Sequence, residues 1–403
     1  MKPKPSRTIA IVGGGPAGLR AAEVASKRGA DVTIFDAKAS VGRKFLVAGK
    51  SGLNLTNSAN FESFAGCYDG TEMPHELWQA LLGEFDNDAM RKWALDLEIS
   101  TFTASSGKVF PTMKKAAPLL RRWILKLRSK GVKFAMKHRF IDFKEIANKQ
   151  IEIEFQEEGG SIVMRSFDSV ILALGGASWP QTGSDGRWAE SFKKKDISVI
   201  SMQSDNCGWL CDWSPKMLAQ AEGMPLHNLQ VSAEGEIVSG ELLITKYGFE
   251  GTPIYTLGRR LRRMKNPVIE IDFKPTFTVE RLIQKMESAR KNFYHEAALR
   301  WKLAPGAEAI IRQIYGEISS AQQLAEIVKC CKIRLKGTRP IEEAISTAGG
   351  VAWSELDENL MLKKFPQVFC AGEMIDWEAP TGGFLMQGCF ITGTRAGEAA
   401  ATI

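Results

Sequence analysis

Short apolar runs punctuated by glycine open the chain. Thr8-Ile9-Ala10-Ile11-Val12 reads as a strand, Leu19 to Arg28 carries a helical pattern, and Asp31-Val32-Thr33-Ile34-Phe35 reads as a second strand ending at Asp36. Helical periodicity recurs over residues 74–98, through Leu77, Leu81, Leu82, Phe85, Met90, Trp93 and Leu97. It recurs again over 116–130, where Gly131 supplies the stop. Val132 to Phe134 and Arg139 to Phe143 follow as a strand and its continuation. Ile151 to Phe155 alternates as a strand with one wet face, and Glu158-Gly159-Gly160-Ser161 turns it into Ile162-Val163-Met164. Asp168 to Leu174 is an almost continuous apolar run ending in Gly175-Gly176, the pattern of a buried parallel strand. From about Asp196 to residue 274, short alternating segments predict a β domain. Residues 278–332 turn helix-rich.

This succession predicts an α/β protein in four pieces: a Rossmann-type domain over 1–195, an inserted β domain over 196–275, a helical insert over 276–336, and the rest of the first domain over 337–403. Length and composition agree with a globular protein of two or three domains: 403 residues, 44% hydrophobic and 25% charged. The apolar stretch after Met1-Lys2-Pro3-Lys4 is too short for a signal-peptide core, and no run approaches the ~20 apolar residues of a membrane helix. The expectation is a cytoplasmic protein without a membrane partner. Seven cysteines without a framework and only four histidines argue against disulfides and metal. Cys207 and Cys211 read as small buried residues, with a redox pair as the alternative. The net charge of +7 is clustered, most densely at Arg259-Arg260-Leu261-Arg262-Arg263-Met264-Lys265. Such a run is either a solvated face or a footprint for RNA.

The first strand leads into Gly13-Gly14-Gly15-Pro16-Ala17-Gly18, a GxGxxG at the start of a helix. Gly13 permits the tight turn, Gly15 lets the backbone approach a pyrophosphate, and Gly18 lets helix and strand pack closely. The helix N-terminus at Pro16 and Ala17 faces the phosphates, and Asp36 can bind ribose hydroxyls. The loop that follows adds Gly42, Arg43 and Lys44, whose charge can offset pyrophosphate, and the neutral donors Asn54, Thr56 and Asn57. Arg43 or Lys44 on the 2′-phosphate of NADP is the rival placement, which Asp36 opposes. A second constellation closes the chain: Val368 to Glu373, Thr381-Gly382-Gly383-Phe384, then a final helix. Glu373 suits the hydroxyls of a ribityl chain. A nicotinamide dehydrogenase needs no such second site, whereas FAD, running from adenine to isoalloxazine, does.

Taken in order, Gly13 to Gly18, Gly42-Arg43-Lys44 with Gly52 to Asn57, Leu174 to Pro180 with Thr182-Gly183-Ser184, Thr347 to Val351, and Ala371-Gly372-Glu373 with Thr381-Gly382-Gly383 resemble the BaiN/RdsA (YhiN-like) family of FAD-dependent oxidoreductases. Gly240 to Thr245 extends the resemblance into the insertion. It implies a glutathione-reductase-like FAD domain with the β and helical insertions. It also implies FAD contacts at Gly13, Gly15, Pro16, Ala17, Gly18, Asp36, Gly42, Arg43, Lys44, Asn54, Leu55, Thr56, Gly175, Gly372, Glu373, Gly383 and Phe384, with Phe140 beside the adenine. The chain departs from the family pattern at Asp36, at Leu53-Asn54 in place of Cys-Asn, and at Trp179 and Phe384.

The resemblance implies reduction of an activated C=C bond, with NAD(P)H as a transient electron donor. No second GxGxxG provides for a stably bound NAD(P). The alternatives are an RNA-associated flavoprotein acting on or binding uridine, and a flavin-dependent amine oxidase. The partner is a small-molecule substrate, or RNA through the basic insertion. Catalytic residues stay unassigned. Lys50, Tyr247 and Asp376 are proton-donor candidates by chemistry alone.

Overall fold

A computed structural model describes residues 6–48 and 52–403. Met1-Lys2-Pro3-Lys4 and the candidate Lys50 lie outside the described residues. The chain forms two compact units: Met1–Gln203 with Ile345–Ile403, and Ser204–Ala344.

The first unit is built on a five-stranded parallel sheet in the order Val368–Cys370, Ser169–Leu172, Thr8–Val12, Asp31–Asp36, Lys133–Met136. Thr8–Val12 lies at its centre, and Ile9, Ala10, Ile11, Val170, Ile171, Leu172 and Val368 are fully buried. A strand covered on both faces must be apolar at every position, which is why these segments run continuously rather than alternate. The helix Pro16–Lys27 packs on the sheet and against the long C-terminal helix Phe384–Thr402. Small residues set that approach. A Cβ at Gly393 would stand 2.4 Å from the Ala17 carbonyl oxygen.

The periodic stretch 74–98 is two helices, His75–Glu84 and Asn87–Leu95. Asp86 separates them by capping the second, its Oδ1 accepting the Ala89 N–H at 2.8 Å. Ala116–Ser129 is one helix, followed by Gly131 in the left-handed region at φ +84°. His138–Glu145, Ile151–Glu157 and Ile162–Phe167 form a separate antiparallel sheet, with Ile151, Ile153 and Phe155 turned into the core.

The second unit holds a seven-stranded antiparallel sheet: Cys331–Arg334, Val268–Asp272, Pro225–Ala233, Glu236–Thr245, Gly248–Glu250, Trp209–Leu210, Gly337–Thr338. The helices Val279–Lys285, Phe293–Arg300, Pro305–Tyr315 and Ala321–Lys329 share one hydrophobic core with it, through Leu282, Ala297, Ile310, Leu324 and Val328. Strands from residue 209 to residue 338 and the helices between them thus belong to a single unit. The architecture is a Rossmann-type α/β fold carrying an inserted sheet-and-helix unit.

Candidate functional site

The glycine turn is held by the sheet. The Gly13 N–H donates to the Phe35 carbonyl at 2.8 Å, and the Gly42 N–H donates to the Gly14 carbonyl at 2.8 Å. Gly13 has φ +111°, and a Cβ there would lie 2.1 Å from the Ala173 oxygen. A Cβ on Gly18 would lie 1.9 Å from the Gly13 oxygen, so the helix sits directly on the turn. Gly15 is different. Its backbone is ordinary, at φ −78°, and nothing stands within 4 Å of a Cβ built on it. It starts the helix without a side-chain cap among the described residues, and Pro16 and Ala17 follow it along an open cleft.

That cleft, about 800 Å³ with its mouth, is lined by Gly13, Gly15, Pro16, Ala17, Asp36, Gly42, Arg43, Lys44, Phe140, Gly175, Gly372 and Glu373. Residues from both ends of the chain therefore meet around one space. Asp36 does two jobs. Its Oδ2 accepts the Gly14 N–H at 2.9 Å and its Oδ1 accepts the Lys38 N–H at 2.8 Å, which fixes the turn and leaves lone pairs for hydroxyls. Burial pushes the Asp36 carboxyl up, and those backbone donors pull it back. Arg43 is exposed on the lining and makes no hydrogen bond or ion pair among the described residues. Lys44 is not free in that way: its Nζ lies 2.8 Å from Glu373 Oε2 and donates to Ser178 Oγ at 2.6 Å. Phe140 lies near the start of the strand His138–Glu145, and His138, two positions earlier on the same face, lines the cleft with it.

Gly18, Asn54, Leu55, Thr56, Gly383 and Phe384 lie outside this lining. Gly18 is beneath the turn. Leu55 is fully buried, and the Thr56 hydroxyl bonds Gln387 Oε1 at 2.9 Å. Gly383, at φ +105°, packs so closely on the Thr56 backbone that a Cβ would lie 2.3 Å from its carbonyl carbon. Phe384 packs its ring against Phe64, centroids 4.8 Å apart, and its carbonyl accepts the Tyr68 hydroxyl at 2.7 Å. Leu55, Thr56 and Phe384 thus direct their side chains into the protein and offer a ligand only backbone. Asn54 Oδ1 is buried without a hydrogen-bond partner among the described residues, an acceptor that a ligand donor would satisfy.

The sequence alone assigned no cofactor contact to His138, Phe35, Thr182, Gly183, Ser184 or Cys389, all of which line the cleft. Period-two alternation from Phe140 points to His138, and Thr182-Gly183-Ser184 lie in a motif already noted. Burial, then the charge of Glu373, pushes the Cys389 thiol up to about 12. Burial therefore holds it as the unreactive thiol. Iodoacetamide at pH 8 is expected to label exposed Cys330 and spare Cys389, read by peptide mass spectrometry. Equal labelling of the two would show that the thiol is not so held.

Of the proton-donor candidates, Asp376 is buried and its Oδ2 accepts the Thr71 N–H at 2.7 Å, which gives it a loop-anchoring position. Tyr247, in the second unit, donates to Glu250 and lies under the Arg339 guanidinium, 4.2 Å from its ring centroid. Burial, then Glu250, raises its pKa and keeps it protonated. In the basic run, Arg260 pairs with Glu236, and half-buried Arg262 pairs with buried Asp205 at 2.9 Å. Those two charges are already offset within the protein. All seven cysteines are free thiols, and the described residues contain no cluster of three metal ligands. No helix among them is long and apolar enough to cross a membrane.

An open cradle at Gly15, an uncapped helix N-terminus, an acid at the end of the second strand and an orphaned amide oxygen at Asn54 accept a dinucleotide that reaches past its pyrophosphate. Fold and cleft together define a Rossmann-type FAD-dependent oxidoreductase, and the comparisons agree. The chain belongs to the HI0933-like protein Rossmann domain family, of BaiN/RdsA type, whose model matches residues 7–399. It is 26% identical over 421 positions to a 3-dehydro-bile acid delta(4,6)-reductase of Clostridium scindens, covering 98% of each chain. It is 22% identical over 387 positions to a ribosomal RNA dihydrouridine synthase of Haemophilus influenzae, covering 94% of each. In fold it is similar to the 3-ketosteroid-delta4-(5alpha)-dehydrogenase of Rhodococcus jostii, with TM-score 0.56 and 14% identity, covering 100% of this chain and 99% of that one.

Proposed function

We propose that the chain uses NAD(P)H to reduce an activated C=C bond of a small-molecule substrate, with FAD held in the cleft of the first unit. Similarity over nearly its whole length to a protein named as a delta(4,6)-reductase carries this reading. Bound FAD supplies the two-electron chemistry, accepting hydride from a nicotinamide and returning it to substrate. The residues of the chain hold it. The first-turn N–H at Ala17 receives the pyrophosphate, with Gly15 giving it room and Arg43, which follows Gly42, adding charge. Asp36 accepts from the adenosine ribose, Phe140 covers the adenine, Glu373 accepts from the ribityl chain, and Gly372 lines the space beside it. Gly175, Asn54, the Leu55–Thr56 backbone and the Gly383–Phe384 turn serve the ring end. The test is anaerobic titration of the purified yellow protein with NADH and NADPH, then reoxidation by a panel of conjugated enones. Bleaching by neither nucleotide would sink the reading. Bleaching by amines with rapid peroxide release would move the protein to the oxidases.

A second reading, an RNA-directed reductase, is favoured by the name of the Haemophilus relative. Arg263 and Lys265 make no ion pair among the described residues, unlike Arg260 and Arg262. If they meet RNA, changing both to Ala lowers the salt slope of binding by ~0.7–0.9 per lost phosphate contact. Unchanged slopes would assign the run to an ordinary solvated surface.

A further inference from the structure

Lys44 belongs to a closed ring of interactions. Its Nζ contacts Glu373 Oε2 at 2.8 Å and donates to Ser178 Oγ at 2.6 Å. Glu373 Oε1 accepts the Thr347 N–H at 3.0 Å. Thr347 Oγ1 accepts the N–H of Ala177, the residue before Ser178, at 3.0 Å. The ring is tight, since a Cβ at Gly176 would lie 2.4 Å from Thr347 Oγ1. It joins four segments that are far apart in sequence, from both sides of the insertion. The Lys44 and Glu373 side chains are only 26% and 14% exposed.

Two of the three ammonium hydrogens are spent, and the positive charge stands against a carboxylate. A neutral ion pair exerts a weak field on a third group. Arg43, on the same cleft, has no such partner among the described residues. Meanwhile both Glu373 oxygens are fixed by one donor each and keep one lone-pair site for a ligand hydroxyl.

We propose that Lys44 is a positioning residue: it acts through Glu373 on the ribityl half of the cofactor and is not the cation that neutralises the pyrophosphate. The inference rests on FAD occupying the cleft. ADP separates the two roles, because it carries the adenosine and both phosphates but no ribityl chain. FAD and ADP affinities are to be measured on the full-length apoprotein for wild type, Lys44→Met, Glu373→Gln and the double variant. FAD binding to Lys44→Met should weaken about 10- to 100-fold, the scale of one charge-assisted hydrogen bond, while ADP binding changes less than about threefold. The double variant should bind FAD no worse than the weaker single variant, because both changes remove one function. Equal losses for FAD and ADP, or additive losses in the double variant, would overturn the proposal. Should Lys44→Met not fold, Lys44→Gln, which keeps a donor towards Ser178, makes the same comparison. A wild-type protein that binds neither FAD nor ADP would instead overturn the cofactor reading beneath it.

Discussion

Gly15→Val is expected to give a folded, colourless protein. The backbone at Gly15 is extended, φ −78° and ψ −178°, a conformation that a β-branched residue adopts readily. Nothing lies within 4 Å of the new Cβ, so the fold has no reason to object, and the apoprotein should keep its stability within about 0.5 kcal/mol. The valine side chain instead fills the space above the uncapped helix N-terminus. A pyrophosphate held off those N–H groups loses charge-assisted bonds worth about 1.5–3 kcal/mol each, so FAD affinity should fall roughly 100-fold or more. Gly18→Val is the control with the opposite outcome. Its Cβ would meet the Gly13 oxygen at 1.9 Å, a backbone atom that cannot step aside, so fold and flavin are lost together. Flavin absorbance per chain and thermal melting of both variants decide the matter. A Gly15→Val protein purified with one FAD per chain would place the cofactor elsewhere.

The contrast between these glycines shows what the sequence made legible. A strand, a glycine turn, a helix and a second strand ending in Asp36 are local, and each glycine type reports a steric demand within a few residues. The same holds for the run Ser169–Leu172, whose unbroken apolarity marks a strand buried on both faces. Partnerships across the chain were not legible. Lys44 reads as a cation for phosphate until its carboxylate partner is seen, and that partner is 329 positions away. Arg262 reads as part of a basic surface until Asp205, 57 positions earlier, is found buried against it. Phe384 looks like a ring neighbour by position, yet Phe64 and Tyr68 draw its side chain inward. Helical periodicity ran through residues 74–98 because Leu82, Phe85 and Met90 all face the core, and only the Asp86 cap separates the two helices. In the second unit, alternating segments announce strands, but nothing local says that Val279–Lys329 packs on that sheet, because each helix contributes only one buried face to a core assembled from distant segments.

Among side chains outside the cofactor turn, a large loss of stability is expected from Glu23→Leu, in the third turn of the first helix. One carboxylate there serves four donors. Its Oε2 accepts the Trp93 and Trp123 indole N–H groups at 2.9 and 3.0 Å and lies 3.4 Å from the Arg20 guanidinium, while Lys126 Nζ stands 3.3 Å from Oε1. Glu23 and Arg20 side chains are 15% and 13% exposed. Burial pulls the Arg20 pKa down, and Glu23 is the main group pushing it back. Leucine would leave the Arg20 guanidinium, stacked 4.4 Å over Phe85, with Thr394 Oγ1 as its remaining hydrogen-bond partner, and would leave the indoles of buried Trp93 and Trp123 without this acceptor. Removing one partner of a buried charged network costs about 3 kcal/mol or more, because the remaining groups stay desolvated. Glu23→Gln keeps an amide oxygen for the indoles but loses the charge and turns a donor towards Lys126, so its cost should be smaller than that of Leu. Glu23 lines a different surface from the cofactor cleft, so both variants should carry a full complement of FAD at low temperature while they remain folded. Urea unfolding of the two variants, with flavin content measured before the transition, makes the comparison. A Leu variant as stable as wild type would mean that water reaches Arg20 and the indoles once the carboxylate is gone, and that this network sets geometry without holding the fold together.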